Sequence, residues 1–202
     1  MILKSEGDTP DRYKISKQPD VVMLFYLLPE KTIHNICKNA GYAIPETEKI
    51  IRYYYQRTTH GSTLSHIVFG AVLHKYDAKK SRTEYFQALR SDIEDSQHGT
   101  TAEGIHLGVM AGTVNFHIYQ HAGIEPLAHI LTLNPYLNSA SYLDFRLQFR
   151  SHWYHITITK DDMRICLEEE HGTSVSICIY GQIFSLFPGK DFCQKLKRVF
   201  SS

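Results

Sequence analysis

Between two segments of helical period lies Arg57-Thr58-Thr59-His60-Gly61-Ser62-Thr63-Leu64-Ser65, followed later by Thr100-Thr101-Ala102-Glu103-Gly104-Ile105-His106. Together the two strings read as a pocket for an oxyanion. Glycine lets the backbone approach a ligand closely, adjacent hydroxyls and amides can point at its oxygens, and a helix starting at about Thr63 adds positive partial charge. Any one of these hydroxyls is also an ordinary cap or turn former, so the weight rests on the string. His117 and His121 have the i, i+4 spacing of metal ligands, yet without a His-Glu-x-x-His pattern a packed or exposed pair is expected. His152 and His155 fall on opposite faces of a strand, and no metal site is predicted.

The elements that must position these residues change period along the chain. From Lys17 to about Ala122 the apolar residues follow a helical period in six segments. Ser16 is the expected cap of the first, whose Val21 to Leu28 run is apolar on every side and should be buried. Ile33, Ile36, Cys37 and Ala40 form the stripe of the second, which Gly41 ends. Pro45 opens the third, with Ile50, Ile51 and Tyr54. The fourth runs from about Thr63 to Tyr76. Asp77 caps the fifth, with a stripe of Tyr85, Phe86, Leu89 and Ile93. A sixth begins near Thr100 and carries Gly104, Gly108 and Gly112 at i, i+4 and i+8, a groove for close packing of another helix. After Pro126 the period becomes two: Leu143 to Phe149, His152 to Thr159, Met163 to Leu167, Val175 to Tyr180 and Gln182 to Phe187, with Pro188-Gly189 closing the last strand before a polar tail. The fold class predicted is α+β, with residues 1–125 helical and residues 126–202 a small β-sandwich.

Composition narrows the function classes. A net charge of +1, and no run of more than three Lys or Arg, argues against nucleic acid or an anionic membrane as partner. Val21 to Leu28 is too short to span a bilayer, and Met1-Ile2-Leu3-Lys4-Ser5-Glu6 lacks the basic and apolar regions of a signal peptide, so the expected location is cytoplasmic. Cys37, Cys166, Cys178 and Cys193 are widely spaced and predict reduced, packed thiols.

With both loops and the change of period in hand, the chain resembles the C-terminal portion of glycoside hydrolase family 65, the phosphorylases of maltose, trehalose or kojibiose. The resemblance runs from about Ile15 to Gly181, through Lys17-Gln18-Pro19-Asp20-Val21-Val22, Tyr54 to Ser65, Asp92 to Gly112 and the small sheet domain. It implies the last six helices of an (α/α)6 barrel followed by a β-sandwich. It implies further that Lys17 and Gln18 hold hydroxyls of a glucose ring, and that Gly61, Ser62, Thr63 and His106 form a pocket for inorganic phosphate, with His60 beside it and Arg57 near. Without the resemblance, Lys17 and Gln18 would be a solvated first turn and His106 a satisfied core histidine.

The implied reaction is an inverting transfer of glucose from a disaccharide to phosphate, with phosphate as co-substrate and no cofactor. An inverting hydrolase needs two carboxyl groups, roughly 6.5–9.5 Å apart, whereas phosphate attacking the anomeric carbon replaces the base. The loop from Thr59 to Ser65 holds no Asp or Glu, which fits phosphorolysis. In the family the general acid is a Glu upstream of the Lys-Gln pair, and none of the candidates here replaces it: Asp92 and Asp95 read as structural, and Glu103 as a helix-dipole partner. No catalytic residue is therefore assigned, and the chain is expected to be inactive and poorly soluble alone, its helices Val21 to Leu28 and Leu64 to Leu73 presenting apolar surface that the rest of the barrel would cover. For the missing half three readings stay open, a truncated gene, a fragment of a longer protein, and a second polypeptide that carries the N-terminal half of the barrel as partner; a homodimer is a further alternative. Two rival functions stay open: a non-catalytic phosphate or sugar-phosphate binding module, and a family 65 hydrolase.

Overall fold

A computed structural model describes residues 5–96, 99, 101–125, 128–137, 142–169 and 171–196. Six α-helices precede seven strands, giving the α+β class expected: α1 Asp20–Leu27, α2 Glu30–Asn39, α3 Thr47–Tyr55, α4 Leu64–Leu73, α5 Ala78–Arg90 and α6 Leu107–Phe116, then β1 Leu131–Leu133, β2 Tyr142–Phe149, β3 His152–Thr159, β4 Asp162–Leu167, β5 Val175–Ile179, β6 Gln182–Leu186 and β7 Asp191–Lys195. The chain divides into two compact units, 1–113 and 114–202, with the division inside α6. No helix among the described residues is long and apolar enough to cross a membrane.

In the first unit α4 is the core. From Ser65 to Leu73 every residue except His66 is buried. It packs tightly on α5 because neither helix has bulk at the contact. A Cβ at Gly70 would lie 3.2 Å from the Tyr85 backbone nitrogen, and the Ser81 hydroxyl donates to the Gly70 carbonyl at 2.6 Å. Gly112 does the same for α6, since a Cβ there would approach Ile67 Cγ1 to 2.9 Å.

Several expectations are corrected here. The buried face of α5 is Ser81, Glu84 and Ala88, while Phe86, Leu89 and Ile93 are exposed, because the close approach to Gly70 selects small residues over the apolar stripe. In α2 only Ile33 of its expected stripe is buried, and Ile36 is exposed. α1 buries Val22 alone and leaves Val21, Leu24 and Leu27 exposed, whereas α4, predicted to present apolar surface, is covered. Ser16 does not cap α1. Its N–H and C=O are taken by Arg57 O and Thr59 N, and its hydroxyl donates to Gln18 O. Gly104 lies outside α6, at φ +131° after a 3-10 turn, so of the three expected groove glycines only Gly112 meets a neighbour. Thr100, the expected start of that helix, lies outside the described residues. Gly41, at φ +80°, ends α2, and Asp77 caps α5 by accepting from Lys80 N–H at 3.0 Å, both as predicted.

The second unit folds because alternating strands bury one face. β2, β3, β4 and β7 form an antiparallel sheet; β1, β5 and β6 form another, in which β1 pairs parallel with β5. Ile156 opposite Ile165, Ile158 opposite Met163 and Tyr154 opposite Leu167 fill the interior, joined by Leu131, Leu133, Ile177, Ile179 and Leu186 of the other sheet. Arg150-Ser151 and Tyr180-Gly181 are two-residue turns with positive φ at both positions, the twist that tight hairpins favour. β1 and β7 were not predicted. β1 is three residues long, and β7 occupies part of the expected polar tail, whose last residues, 197–202, lie outside the described set. Cys193 is exposed on β7 rather than packed.

Candidate anion site

The loop between α3 and α4 is held by the segment that precedes α1. Thr59 N–H donates to Ser16 O at 2.8 Å, and Gly61 N–H donates to Lys17 O at 3.1 Å. The Lys17 side chain lies across Gly61, where a Cβ would come within 2.8 Å of Lys17 Cγ. Two motifs more than 40 residues apart in sequence, one read as sugar-binding and one as phosphate-binding, are therefore a single patch. Gln18 joins it through its carbonyl, which accepts from Ser16 Oγ.

At the head of α4, Ser62 Oγ accepts from Leu64 N–H at 3.3 Å, and the Ser62 carbonyl accepts from Ser65 N–H at 3.0 Å. Among the described residues the N–H groups of Ser62 and Thr63 donate to no protein acceptor. Free N–H groups at a helix start, beside a glycine and a lysine, are the local chemistry of an anion site. Ser65 is fully buried and belongs to the packing of α4. Arg57 turns away. Its guanidinium lies 3.8 Å from the centre of the Tyr53 ring and donates to Tyr53 O.

His60 adopts φ +51°, a conformation rare for a residue with a side chain. Its ring stacks on His66 at 4.8 Å, and a chain of contacts runs on from there. His66 Nδ1 lies 2.8 Å from Glu84 Oε2, and the Tyr55 hydroxyl donates to Glu84 Oε1 at 2.7 Å. Burial alone would raise the Glu84 pKa, but the hydrogen bonds from His66 and Tyr55 and the nearby imidazoles outweigh it and hold the carboxyl below the usual range. Burial pushes the His60 imidazole below its ordinary value. The ligand atoms of His60, His66 and Glu84 lie within 4.8 Å of one another, a metal-like grouping that was not predicted. Two parallel rings do not aim their in-plane lone pairs at one point, and both Glu84 oxygens are engaged, so the cluster reads as scaffold.

His106 immediately precedes α6, and its carbonyl accepts from Val109 and Met110 N–H. Its own N–H donates to Asp92 Oδ2 at 2.9 Å, and its Nδ1 lies 2.5 Å from Asp92 Oδ1. No hydrogen bond among the described residues joins His106 to the loop before α4. Asp95 accepts from Gly99 and Thr101 N–H. The Glu103 side chain lies outside the described set. Glu84 is what sequence reasoning missed, for its partner His66 lies 18 residues away, while Asp92, read as structural, holds His106 14 residues away. His117 and His121 form a packed pair, one of the two arrangements expected, their Nδ1 atoms 3.0 Å apart.

Residues 1–115 match the family model of the glycosyl hydrolase family 65 central catalytic domain, and residues 125–186 that of its C-terminal domain. The chain belongs to glycosyl hydrolase family 65, and its two parts are a portion of the (α/α)6 barrel and the β-sandwich that follows it. It is 35% identical over 86% of its length to a trehalose 6-phosphate phosphorylase of Lactococcus lactis, and 34% identical over 90% to an uncharacterized glycosyl hydrolase of Mycobacterium tuberculosis. A solved structure titled as a putative kojibiose phosphorylase from human microbiome superposes with a TM-score of 0.70 at 26% identity, over 91% of this chain. The chain spans 23% of the first relative's length, 14% of the second's and 25% of the solved chain.

Proposed function

We propose that this chain provides the phosphate site and part of the glucose site of a disaccharide phosphorylase that transfers glucose to inorganic phosphate with inversion. Gly61, Ser62, Thr63 and His106 hold the phosphate, with His60 bracing the loop, and Lys17 and Gln18 hold glucose hydroxyls. The observation that carries this reading is the Gly61 to Lys17 contact, which makes the sugar motif and the phosphate motif neighbours. The relatives named as phosphorylases support it.

Phosphate held by the loop needs no base carboxylate, and the buried carboxylate behind the loop, Glu84, has both oxygens engaged. The general acid comes from the stretch of the relatives' length that this chain does not span, the earlier half of the barrel, whether that half belongs to the same protein or to a second polypeptide. The exposed apolar faces of α1 (Val21, Leu24, Leu27) and α6 (Leu107, Val114) are where such a stretch would pack. The test is an assay with an α-linked glucose disaccharide of the chain alone and combined with that half. Glucose 1-phosphate formed only in the combination, and only with phosphate present, is the expected result. Free glucose formed without phosphate would contradict it.

A further inference from the structure

We infer that Asp92 is a positioning residue for the anion, clamping His106 by ring and main chain so that the ring turns its Nε2 edge toward phosphate. The inference rests on the phosphate-site reading of His106. An ionised carboxylate only accepts hydrogen bonds, so the 2.5 Å contact to Asp92 Oδ1 puts a proton on His106 Nδ1. Nε2 is then the ring nitrogen left for the ligand, and hydrogen phosphate, which carries both O–H donors and acceptor oxygens, can pair with it.

The clamp has two jaws. Asp92 also accepts from the His106 backbone N–H at 2.9 Å, so one carboxylate fixes both the main chain before α6 and the ring orientation. The hydrogen bond from His106 holds the Asp92 carboxyl below the usual carboxylate range. The His106 side chain keeps about a third of its surface exposed (31%), against 12% for Asp92, so the ring offers solvent an edge that the carboxylate does not cover.

The test measures binding of inorganic phosphate and of sulfate by calorimetry at neutral pH. Wild-type chain, Asp92→Asn, Asp92→Glu and His106→Ala are compared, with a thermal melt of each. Asp92→Asn, which keeps the shape and loses one of the two acceptor oxygens, should weaken binding about tenfold. Asp92→Glu should recover part of the loss. Nitrogen NMR of the wild-type ring is the second readout and does not depend on a variant folding: the ring should keep a proton on Nδ1 with and without phosphate. An Asp92→Asn chain with wild-type affinity, or a ring protonated on Nε2 and not on Nδ1, would overturn the role of Asp92 while leaving the phosphate site standing. A wild-type chain that binds neither anion, or a His106→Ala chain that binds both normally, would overturn the site reading and this inference with it.

Discussion

Two carboxylate–imidazole pairs of the same chemistry sit in different surroundings. Glu84 and His66 are 7% and 18% exposed, and the second Glu84 oxygen is taken by the Tyr55 hydroxyl. Asp92 and His106 are 12% and 31% exposed, and the second Asp92 oxygen is taken by the backbone of His106 itself. In the first pair every strong polar group turns inward, on three helices and a loop, so the pair acts as a brace. In the second the carboxylate is spent on one residue, and the side chain it holds stays partly exposed. The same two functional groups thus support packing in one place and suit ligand binding in the other, and the difference lies in what occupies the remaining oxygen.

The largest expected effect breaks the brace. Glu84→Ala leaves the Tyr55 hydroxyl and His66 Nδ1 buried without their acceptor, and should cost about 3 kcal/mol in urea unfolding. A loss no larger than that of an exposed substitution would mean that the two pairs do not differ as described. Next comes His106→Ala, which should weaken phosphate binding at least about tenfold while leaving the melting temperature nearly in place.

A smaller effect separates the pairs by pH. The His60 pKa is lowered by burial, so below the ordinary value of about 6.5 the unfolded chain takes up a proton that the folded chain refuses, and stability falls as pH drops. Glu84 is also lowered, so its contribution is present above the ordinary carboxylate value and is lost only as pH falls through the lower folded value. His60→Asn, a residue that tolerates positive φ, should flatten the first decline and leave the second. An unchanged profile between about pH 6.5 and 5 would show that His60 is not held neutral. The smallest effect is that of Gly61→Ala. Its methyl displaces only the flexible Lys17 side chain, so stability should stay within about 0.5 kcal/mol while phosphate binding weakens a few-fold. A loss of stability instead would make Gly61 a folding residue.

What was legible in the sequence follows from the range of the interactions. The loop from His60 to Thr63 and the strands of the second unit announce themselves through neighbours in sequence: a polar string between apolar periods, and alternation over eight residues in β2 and β3. The α5 face did not, because Gly70 on another helix decides which side of α5 can come close, and it chose Ser81 and Ala88 over Phe86 and Leu89. Glu84 falls on that face by the same cause, and nothing local marks it as buried. Asp92 was visible as a carboxylate near a helix end, but its hold on His106 is a contact 14 residues along the chain that no local pattern marks. β1 was hidden because its parallel partner β5 is more than 40 residues away and three residues carry no period.

The most direct test of the account is calorimetric titration of the chain with inorganic phosphate, beside Ser62→Ala and His106→Ala. Saturable binding by the wild type that is lost in both variants is the result predicted. A folded wild-type chain that takes up no phosphate would contradict the claim that the α4 loop, Lys17 and His106 form an anion site.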